Sequence, residues 1–337
     1  MKEKKTAKSS GRGKRTALIV LCVILAMLLA VLIFATVYLE TIFGRLGRTD
    51  DLETLSPDEL ASALEWETVP EDFSGPIDVE IEQPTGPADK LNAENITNIL
   101  LIGRDSGRSD AMILASFNKS NKTLTLTSFL RDMYVYIPDR GNDKLNHSYA
   151  YGGVELLNDT IAYNFGIEID GNVVVGFDSF EDVIDAIGGV DVELTWEEID
   201  HLGGQGISLS QDSNGLTHLD GRAALAYSRI RYLDSDFGRT NRQRNVLEAI
   251  LNKAKSMSIA EMNDMLMELL PIVSTDLSDA EIIGYALELF PMLLDCKVVS
   301  QQIPADGTWY NASQGGMAVL IVDFEENRKI LHDTLGG

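Results

Sequence analysis

The chain has 337 residues, with 28 basic and 52 acidic side chains and a net charge of −24 at neutral pH. So acidic a protein repels polyphosphate backbones, which argues against a general nucleic-acid-binding role. Its two cysteines are Cys22, inside a long apolar run, and Cys296. No disulfide can therefore form within the polar part of the chain, and a hydrophobic core must hold it together.

The first fifteen residues carry Lys2, Lys4, Lys5, Lys8, Arg12, Lys14 and Arg15 against the single acid Glu3. Thr16–Tyr38 then runs 23 residues without a charge. As a helix that is roughly 34 Å, enough to cross a hydrocarbon core of about 30 Å. Basic residues ahead of such a segment hold the N-terminus in the cytoplasm. The segment is longer than a cleaved signal's apolar region, and no small-residue cleavage site follows it. Expected, then, are a basic cytoplasmic tail at 1–15, a transmembrane helix at 16–38 and an extracellular remainder. Without the tail, 21 basic and 51 acidic residues remain, a net of −30.

Residues 39–95 read as a stalk, with acidic clusters and Pro57, Pro70, Pro76, Pro84 and Pro87. A short helix from Pro57 to Trp66, capped by Ser56, interrupts it. Val69–Asp89 reads as an extended linker. From residue 96 to 337 the pattern becomes α/β. Asn98–Ile102 is a buried strand ending at Gly103. Ala111–Asn118 and Thr123–Leu130 form a hairpin, the second strand with one buried face. Val154–Phe165 is a helix, Ile169–Gly176 a strand, Ser179–Ile187 a helix and Val190–Thr195 a strand. Asp220–Ser228 and Thr240–Met257 are helices. A Ser278-capped helix, strands at Lys297–Ile303 and Ala318–Val322 and a terminal helix complete the chain. Strands alternating with helices predict a mixed central sheet flanked by helices on both faces.

Arginine placement is the sharpest chemical signal. Of 13 arginines after the span, five lie in one short run: Arg229, Arg231, Arg239, Arg242 and Arg244. In an extended segment Arg229 and Arg231 share a face. If Thr240 begins a helix, Arg239 and Gln243 sit one turn apart. Guanidinium offers a planar fork matched to phosphate oxygens, where lysine offers a point charge. The cluster therefore points to a phosphorylated ligand. The competing reading is a structural network with Asp234, Asp236 and Glu248.

Upstream, Gly103-Arg-Asp-Ser-Gly-Arg-Ser-Asp110 leaves a predicted strand, where open α/β sheets bind ligands. Asp105 and Asp110 are hard oxygen donors for Mg²⁺ or Mn²⁺, and Arg108 adds a phosphate donor. Ordinary turn chemistry explains Asp-Ser-Gly equally. Arg131-Asp132 ends the second hairpin strand and could be a plain ion pair. The four histidines have no metal-ligand spacing, and no nucleophile elbow, P-loop or dinucleotide fingerprint is present. Lys144-Leu-Asn-His-Ser-Tyr-Ala-Tyr-Gly-Gly153 could line a sugar or phosphate site or simply cap a helix.

Taken in order, Arg108-Ser-Asp110-Ala-Met, Arg131-Asp132, Lys144-Leu-Asn146 with Ala150-Tyr-Gly-Gly, Asp185-Ala-Ile-Gly-Gly-Val, Leu219-Asp-Gly with Ala224-Leu-Ala-Tyr, Ser228-Arg-Ile-Arg and Asp236-Phe-Gly-Arg-Thr-Asn-Arg-Gln243 resemble the LytR-CpsA-Psr proteins of Gram-positive bacteria. The likeness is strong over about 96–260 and looser beyond. It implies a membrane-anchored enzyme that moves a glycopolymer, such as teichoic acid or capsular polysaccharide, from a polyprenyl-(pyro)phosphate carrier to peptidoglycan, with Mg²⁺. By the matching motifs, Arg108, Asp110, Arg131, Arg229 and Arg231 would be catalytic. Arg108, Arg131, Arg229, Arg231, Arg239 and Gln243 would hold the pyrophosphate, and Asp105 and Asp110 the metal. Leu130 stands where the family usually has proline, and Arg104 adds a charge beside Asp105.

Two other readings use the same residues: a polyprenyl-pyrophosphate hydrolase, and a non-catalytic surface receptor or regulator. Asp110 or Asp132 could act as a base. Val173–Phe177, Val183–Ile187 and Val246–Leu251 could line a tunnel for a lipid or belong to ordinary core.

Overall fold

The computed structural model describes residues 37–336, apart from 53–54, 66–72, 82–85, 92–93, 106, 232 and 234–235. The expected tail and nearly all of the expected span at 16–38 therefore lie outside the described residues, as do Trp66 and Asp234. Residues 37–43 are helical. Among the described residues no helix is long and apolar enough to cross a membrane. From Gly47 onward the chain forms a compact unit of its own.

In chain order this unit begins with β1 (Gly47–Arg48), α1 (Pro57–Glu65), β2 (Ile96–Asp105), β3 (Arg108–Asn118), β4 (Thr123–Phe129), β5 (Tyr134–Ile137) and β6 (Gly141–Lys144). Then come α2 (Leu145–Phe165), β7 (Gly171–Gly176), α3 (Phe177–Ala186), β8 (Val190–Glu193), α4 (Trp196–Gly204) and β9 (Leu216–Leu219). The second half holds α5 (Gly221–Ser228), α6 (Asp236–Ser256), α7 (Ile259–Leu269), β10 (Val273–Thr275), α8 (Asp279–Leu293), β11 (Lys297–Ile303), β12 (Trp309–Gln314), β13 (Met317–Val322) and α9 (Phe324–Gly336).

Seven strands form the main sheet in the order β1-β10-β7-β2-β3-β4-β11. β2 pairs parallel with β7 and antiparallel with β3, and β4 pairs parallel with β11, so the sheet is mixed as expected. Its central strands are apolar on both faces because both are covered. Leu100, Ile102, Met112, Leu114 and Phe129 face a core shared with Leu157, Ile161 and Phe165 of α2 and Leu331 of α9. The alternate residues Ile99, Ile113, Ala115, Leu124 and Leu126 face Leu289 and Met292 of α8. A further core joins α3, β8, β9, α4, α5 and α6 around Ile184, Val190, Leu219 and Tyr227.

The expected half-exposed face of β4 is corrected. Thr125 and Thr127 are as buried as the leucines between them, and Thr127 Oγ1 accepts from Gln301 Nε2 at 2.9 Å. Burying the Thr127 hydroxyl is tolerable because this neighbour satisfies it. The stretch expected as a stalk is not all free-standing. Gly47–Arg48 extends the sheet beside β10, Ile77 bridges Ser313, and Ala88 and Leu91 donate to the carbonyls of Tyr163 and Gly166 at 2.8 and 2.9 Å. Ser56 does cap α1: its Oγ accepts from Glu59 N at 3.4 Å, and its own backbone NH donates to the Glu59 carboxylate at 2.9 Å.

α2 begins nine residues ahead of the helix expected at Val154. It is broken at Gly152 and Gly153, the latter with φ of 63° and ψ of −151°. That backbone suits only a residue without a Cβ. The Gly-Gly pair thus joins a short, buried first segment, which carries Asn146 and His147, to the longer amphipathic one.

Candidate functional site

The site forms where the carboxyl ends of β2 and β4 come together. β2 and β4 are both antiparallel to β3, so the residues following each emerge at one edge of the sheet. β2 runs past the expected stop at Gly103, through an irregularity at Gly103–Arg104, and ends with Asp105 directly opposite Arg108. The expected ligand loop is therefore a tight hairpin. Its turn includes Gly107 at φ +84°, where a Cβ would lie 2.3 Å from the Leu55 side chain. The register places Asp105, Arg108 and Asp110 at the sheet edge, beside Arg131 as it leaves β4.

Arg131 is the hub. Its side chain is only 10% exposed and pairs with Asp110, itself 9% exposed. Its Nε lies 3.5 Å from Asp132 Oδ2, and Lys144 Nζ donates to Asp132 Oδ1 at 3.0 Å. Burial pushes the Asp132 carboxyl up, but Lys144 and Arg131 outweigh it, and the pKa lies well below the ordinary carboxylate value. Asp236 stands beside Asp132. Asp236 Oδ1 is 3.6 Å from Arg231 Nε and 3.5 Å from Arg239 Nε. Arg229 donates to Asp105 Oδ2 at 3.5 Å.

The helices behind these residues explain their positions. Asp220 caps α5 by accepting from Ala223 N at 2.8 Å, and Asp185 accepts from Gly221 N at 2.7 Å. A Cβ on Gly221 would fall 2.2 Å from the Glu181 carbonyl, so glycine is required for α5 to approach α3 this closely. Arg229 caps the far end of α5 in helical geometry, φ −101° and ψ −3°. The expected extended segment, with Arg229 and Arg231 alternating on one face, is thus a helix end instead. Both side chains are nonetheless brought to the site edge, each 48% exposed. α6 starts at Asp236, one turn before the expected Thr240, because the helix takes in the whole Asp-Phe-Gly-Arg turn. Arg239 and Gln243 do sit one turn apart on it.

The five-arginine run divides in two. Arg229, Arg231 and Arg239 join the site. Arg242 is structural: its Nε donates to Glu198 Oε1 at 2.7 Å and a terminal nitrogen donates to the Ile230 carbonyl at 3.1 Å, tying α6 to α4 and to the 229–231 segment. Arg244 donates to Asn241 within its own helix at 3.2 Å. The network reading is right for Arg242, with Glu198 in place of the expected carboxylates, and right in part for Arg231 and Arg239, which both lie beside the expected Asp236. Arg244 keeps a buried Nε and one buried terminal nitrogen without a hydrogen-bond partner among the described residues.

For the other three the charges do not balance. Among the described residues, Arg108, Arg131, Lys144, Arg229, Arg231 and Arg239 are six cations against Asp105, Asp110, Asp132 and Asp236. Burial, aided by the neighbouring Arg131 and Arg231, lowers the Arg239 pKa to about 10 against the pull of Asp236 and Asp110. Several buried polar atoms also lack partners: Oδ1 and Nδ2 of Asn146, Oε1 of Gln243 and Nε of Arg239. Asn146 adjoins the hub, its backbone NH donating to the Arg131 carbonyl at 3.2 Å. The donors among them, Asn146 Nδ2 and Arg239 Nε, together with the excess of cations, are what a bound anion satisfies, while the two amide oxygens are placed to accept from a hydroxyl.

Lys144, Asp132 and Asp236 were less legible than the arginines. Lys144 is 2% exposed, and burial of a lysine, invisible in sequence, is the sign that it has a fixed partner. Behind it His147 Nδ1 lies 2.9 Å from Asp143 Oδ1, Tyr151 donates to Asp143 Oδ2 at 2.7 Å, and Arg140 sits 4.4 Å above the Tyr151 ring. This network fixes the β6–α2 corner that presents Lys144 and Asn146.

The runs proposed for a lipid tunnel separate. Val173, Leu247 and Leu251 pack, partly buried, against the core beneath α8. Ile184, Ile187 and Val246 are fully packed in the core around α5.

The model of the LytR_cpsA_psr family matches residues 73–333. This chain belongs to the LytR-CpsA-Psr family. It is 33% identical over 245 residues to the polyisoprenyl-teichoic acid–peptidoglycan teichoic acid transferase TagU of Bacillus licheniformis, covering 68% of this chain and 77% of that one. It is 38% identical over 243 residues to the transferase TagT of Bacillus subtilis, covering 69% and 71%. A solved structure of TagT with bound octaprenyl pyrophosphate lipid superposes with a TM-score of 0.57 at 31% identity, over 77% of this chain and all of that one.

Proposed function

We propose that this LytR-CpsA-Psr protein is a phosphotransferase that moves an anionic glycopolymer from a polyprenyl-pyrophosphate carrier to peptidoglycan. The observation that carries the reading is the excess of cations, with orphaned polar atoms, at the carboxyl edge of the sheet. Membership beside the teichoic acid transferases supports it. Capsular polysaccharide remains within the same donor class.

The reaction exchanges one P–O bond for another. An acceptor hydroxyl oxygen bonds to the glycan-side phosphorus, and the bond from that phosphorus to the bridging oxygen breaks. Prenyl phosphate leaves with the electron pair, and the hydroxyl proton passes to a carboxylate of the site. Asp132 is a poor choice for that proton because its pKa is held so low; a base works best with a pKa near the working pH. Its role is to fix Arg131 and Lys144. Arg108, Arg131, Arg229, Arg231 and Arg239 bind and orient the pyrophosphate and neutralise charge as it builds on the leaving phosphate. Gln243 supplies a further polar contact.

Among the described residues no group of three or more His, Cys, Asp or Glu side chains is gathered for a metal. Asp105 and Asp110 nevertheless suit Mg²⁺, which is commonly held by one or two carboxylates together with substrate phosphates. When bound there, Mg²⁺ would add charge neutralisation at the phosphoryl oxygens. Thr16–Tyr38 would anchor the enzyme in the membrane with the catalytic unit outside, where carrier and wall meet.

The test is full-length protein in detergent with a synthetic lipid-pyrophosphate glycan and peptidoglycan, with and without Mg²⁺. A covalent glycan–peptidoglycan adduct with released prenyl phosphate is expected. Lipid phosphate released with no adduct would make the protein a hydrolase. Donor bound but never cleaved would make it a receptor.

A further inference from the structure

Beside the arginine cluster lies a second kind of surface. Trp309 of β12 stacks on Phe237 of α6, ring centroids 4.5 Å apart and planes 24° from parallel. The two rings, with Asp132, Asp236 and Asn311, line a cavity of about 260 Å³ floored by Leu320. The floor is rigid: Leu320 N donates to the Asp132 carbonyl at 2.9 Å, and β12 and β13 pair in register across it, Asn311 opposite Leu320. Trp309 and Asn311 are two residues apart on one strand, so both project from the same face. The Phe237 stack holds the indole in one orientation.

We propose that this cavity is the subsite for an uncharged hexopyranose ring of the acceptor glycan. A pyranose offers C–H groups on its faces and hydroxyls around its rim. An indole face answers the first, and two carboxylates and an amide answer the second. At about 260 Å³ it falls just below the roughly 300–1,000 Å³ of sites for larger ligands, a size for one ring.

Charge and position favour acceptor over donor. A different cavity of about 350 Å³ is lined by Arg222, Arg229, Arg231, His201 and Glu181. Arg231 borders that cavity, Asp236 borders the aromatic one, and these two side chains pair with each other at 3.6 Å. The ion pair is therefore the divide between the two spaces. Phosphoryl transfer needs attacking and leaving oxygens roughly in line, on opposite sides of phosphorus. The cavity lined by Arg222, Arg229 and Arg231 suits a polyanionic donor, whereas the aromatic one has, among the described residues, no basic side chain in its lining to hold an anion and suits a neutral sugar. The assignment rests on the transferase reading for which substrate the sugar belongs to, though not for whether a sugar binds.

The experiment uses the full-length protein in detergent and two measurements. The first is saturation-transfer NMR with a neutral β-1,4-linked N-acetylglucosamine oligomer, no donor present. The second is steady-state transfer with both substrates varied. Wild type is expected to bind the glycan. Trp309→Ala should weaken binding and raise the acceptor KM by roughly tenfold or more, as loss of a central aromatic anchor does, while donor KM holds. Trp309→Phe should recover most of the loss. Asn311→Ala, at an exposed position that leaves the core intact, should raise acceptor KM in the same direction. An acceptor KM unchanged in both alanine variants, or donor and acceptor KM rising together, overturns the subsite. So does a wild type that transfers yet binds no glycan. Glycan binding lost in Trp309→Ala in a protein that makes no adduct would keep the subsite and overturn the transferase reading instead.

Discussion

Arg131 and Arg229 both carry the proposed chemistry, but they sit in different electrostatic settings and should fail differently. Arg229 is half exposed and meets Asp105 only at 3.5 Å. An exposed pair of that kind contributes about 0–1 kcal/mol. Arg229→Ala should therefore leave the thermal midpoint near wild type while lowering transfer by roughly 10³–10⁵, the range for a well-placed arginine in phosphoryl transfer. Arg131 is buried against Asp110 and Asp132, so removing it strands carboxylates and should cost about 3–5 kcal/mol as well as activity. Turnover and thermal unfolding on the same two proteins separate the cases; an Arg229→Ala enzyme with wild-type turnover would remove that residue from the site. Asp132 gives a pH-dependent counterpart. Its folded pKa is depressed, so its stabilisation is fully present above the unfolded value of about 3.9 and disappears as pH falls through the lower folded value. The midpoint gap between wild type and Asp132→Asn should be widest near pH 7 and close in strong acid. A gap that does not narrow would assign the loss to packing.

Turns and helix ends explain which elements the sequence made legible. The β2–β3–β4 strands announced themselves because alternate apolar residues must fill two covered faces, and β11 matched its expected bounds to the residue. What escaped was structure made by context. The first segment of α2 is polar and glycine-interrupted, and its helicity comes from burial against the sheet. β1 and β10 are two and three residues long, with no periodicity to read. β5, β6 and β12 were missed for similar reasons. Arg229, Arg231, Arg239 and Gln243 were legible as arginine chemistry in an acidic chain, while Lys144 and the Trp309–Phe237 pair depended on contacts between distant segments. Two glycines test this scale. Gly153 and Gly189 both have positive φ, 63° and 76°, but a Cβ at Gly153 meets nothing within 4 Å. At Gly189 it would lie 2.5 Å from the His218 ring and 2.8 Å from the Leu219 carbonyl. Gly153→Ala should cost about 1–3 kcal/mol of backbone strain, and Gly189→Ala distinctly more because the β8–β9 ribbon must also shift. Equal losses in chemical denaturation would show that the turn at Gly189 yields freely.

For the molecule as a whole, the charge distribution gives the proposed anchor a mechanical purpose. Residues 16–337 carry a net of −30, and an anionic bilayer surface repels such a unit over roughly a Debye length, about 8 Å at physiological salt. The carrier lipid is confined to that surface. A catalytic unit free in solution would be kept from its donor by the same acidity that keeps it soluble. A tether at Thr16–Tyr38 offsets this by holding the unit at high effective concentration, a gain commonly of 10²–10⁴. Deleting residues 1–38 should therefore lower turnover on donor embedded in anionic vesicles by a factor in that range. Raising ionic strength should recover part of the loss, since screening weakens the repulsion but does not restore confinement. A short-chain, water-soluble donor should be turned over alike by both forms, because neither repulsion nor confinement acts on it. If the deleted form matched full-length protein on vesicles at low salt, the anchor would be an address only, and the sheet-edge site would reach the membrane unaided.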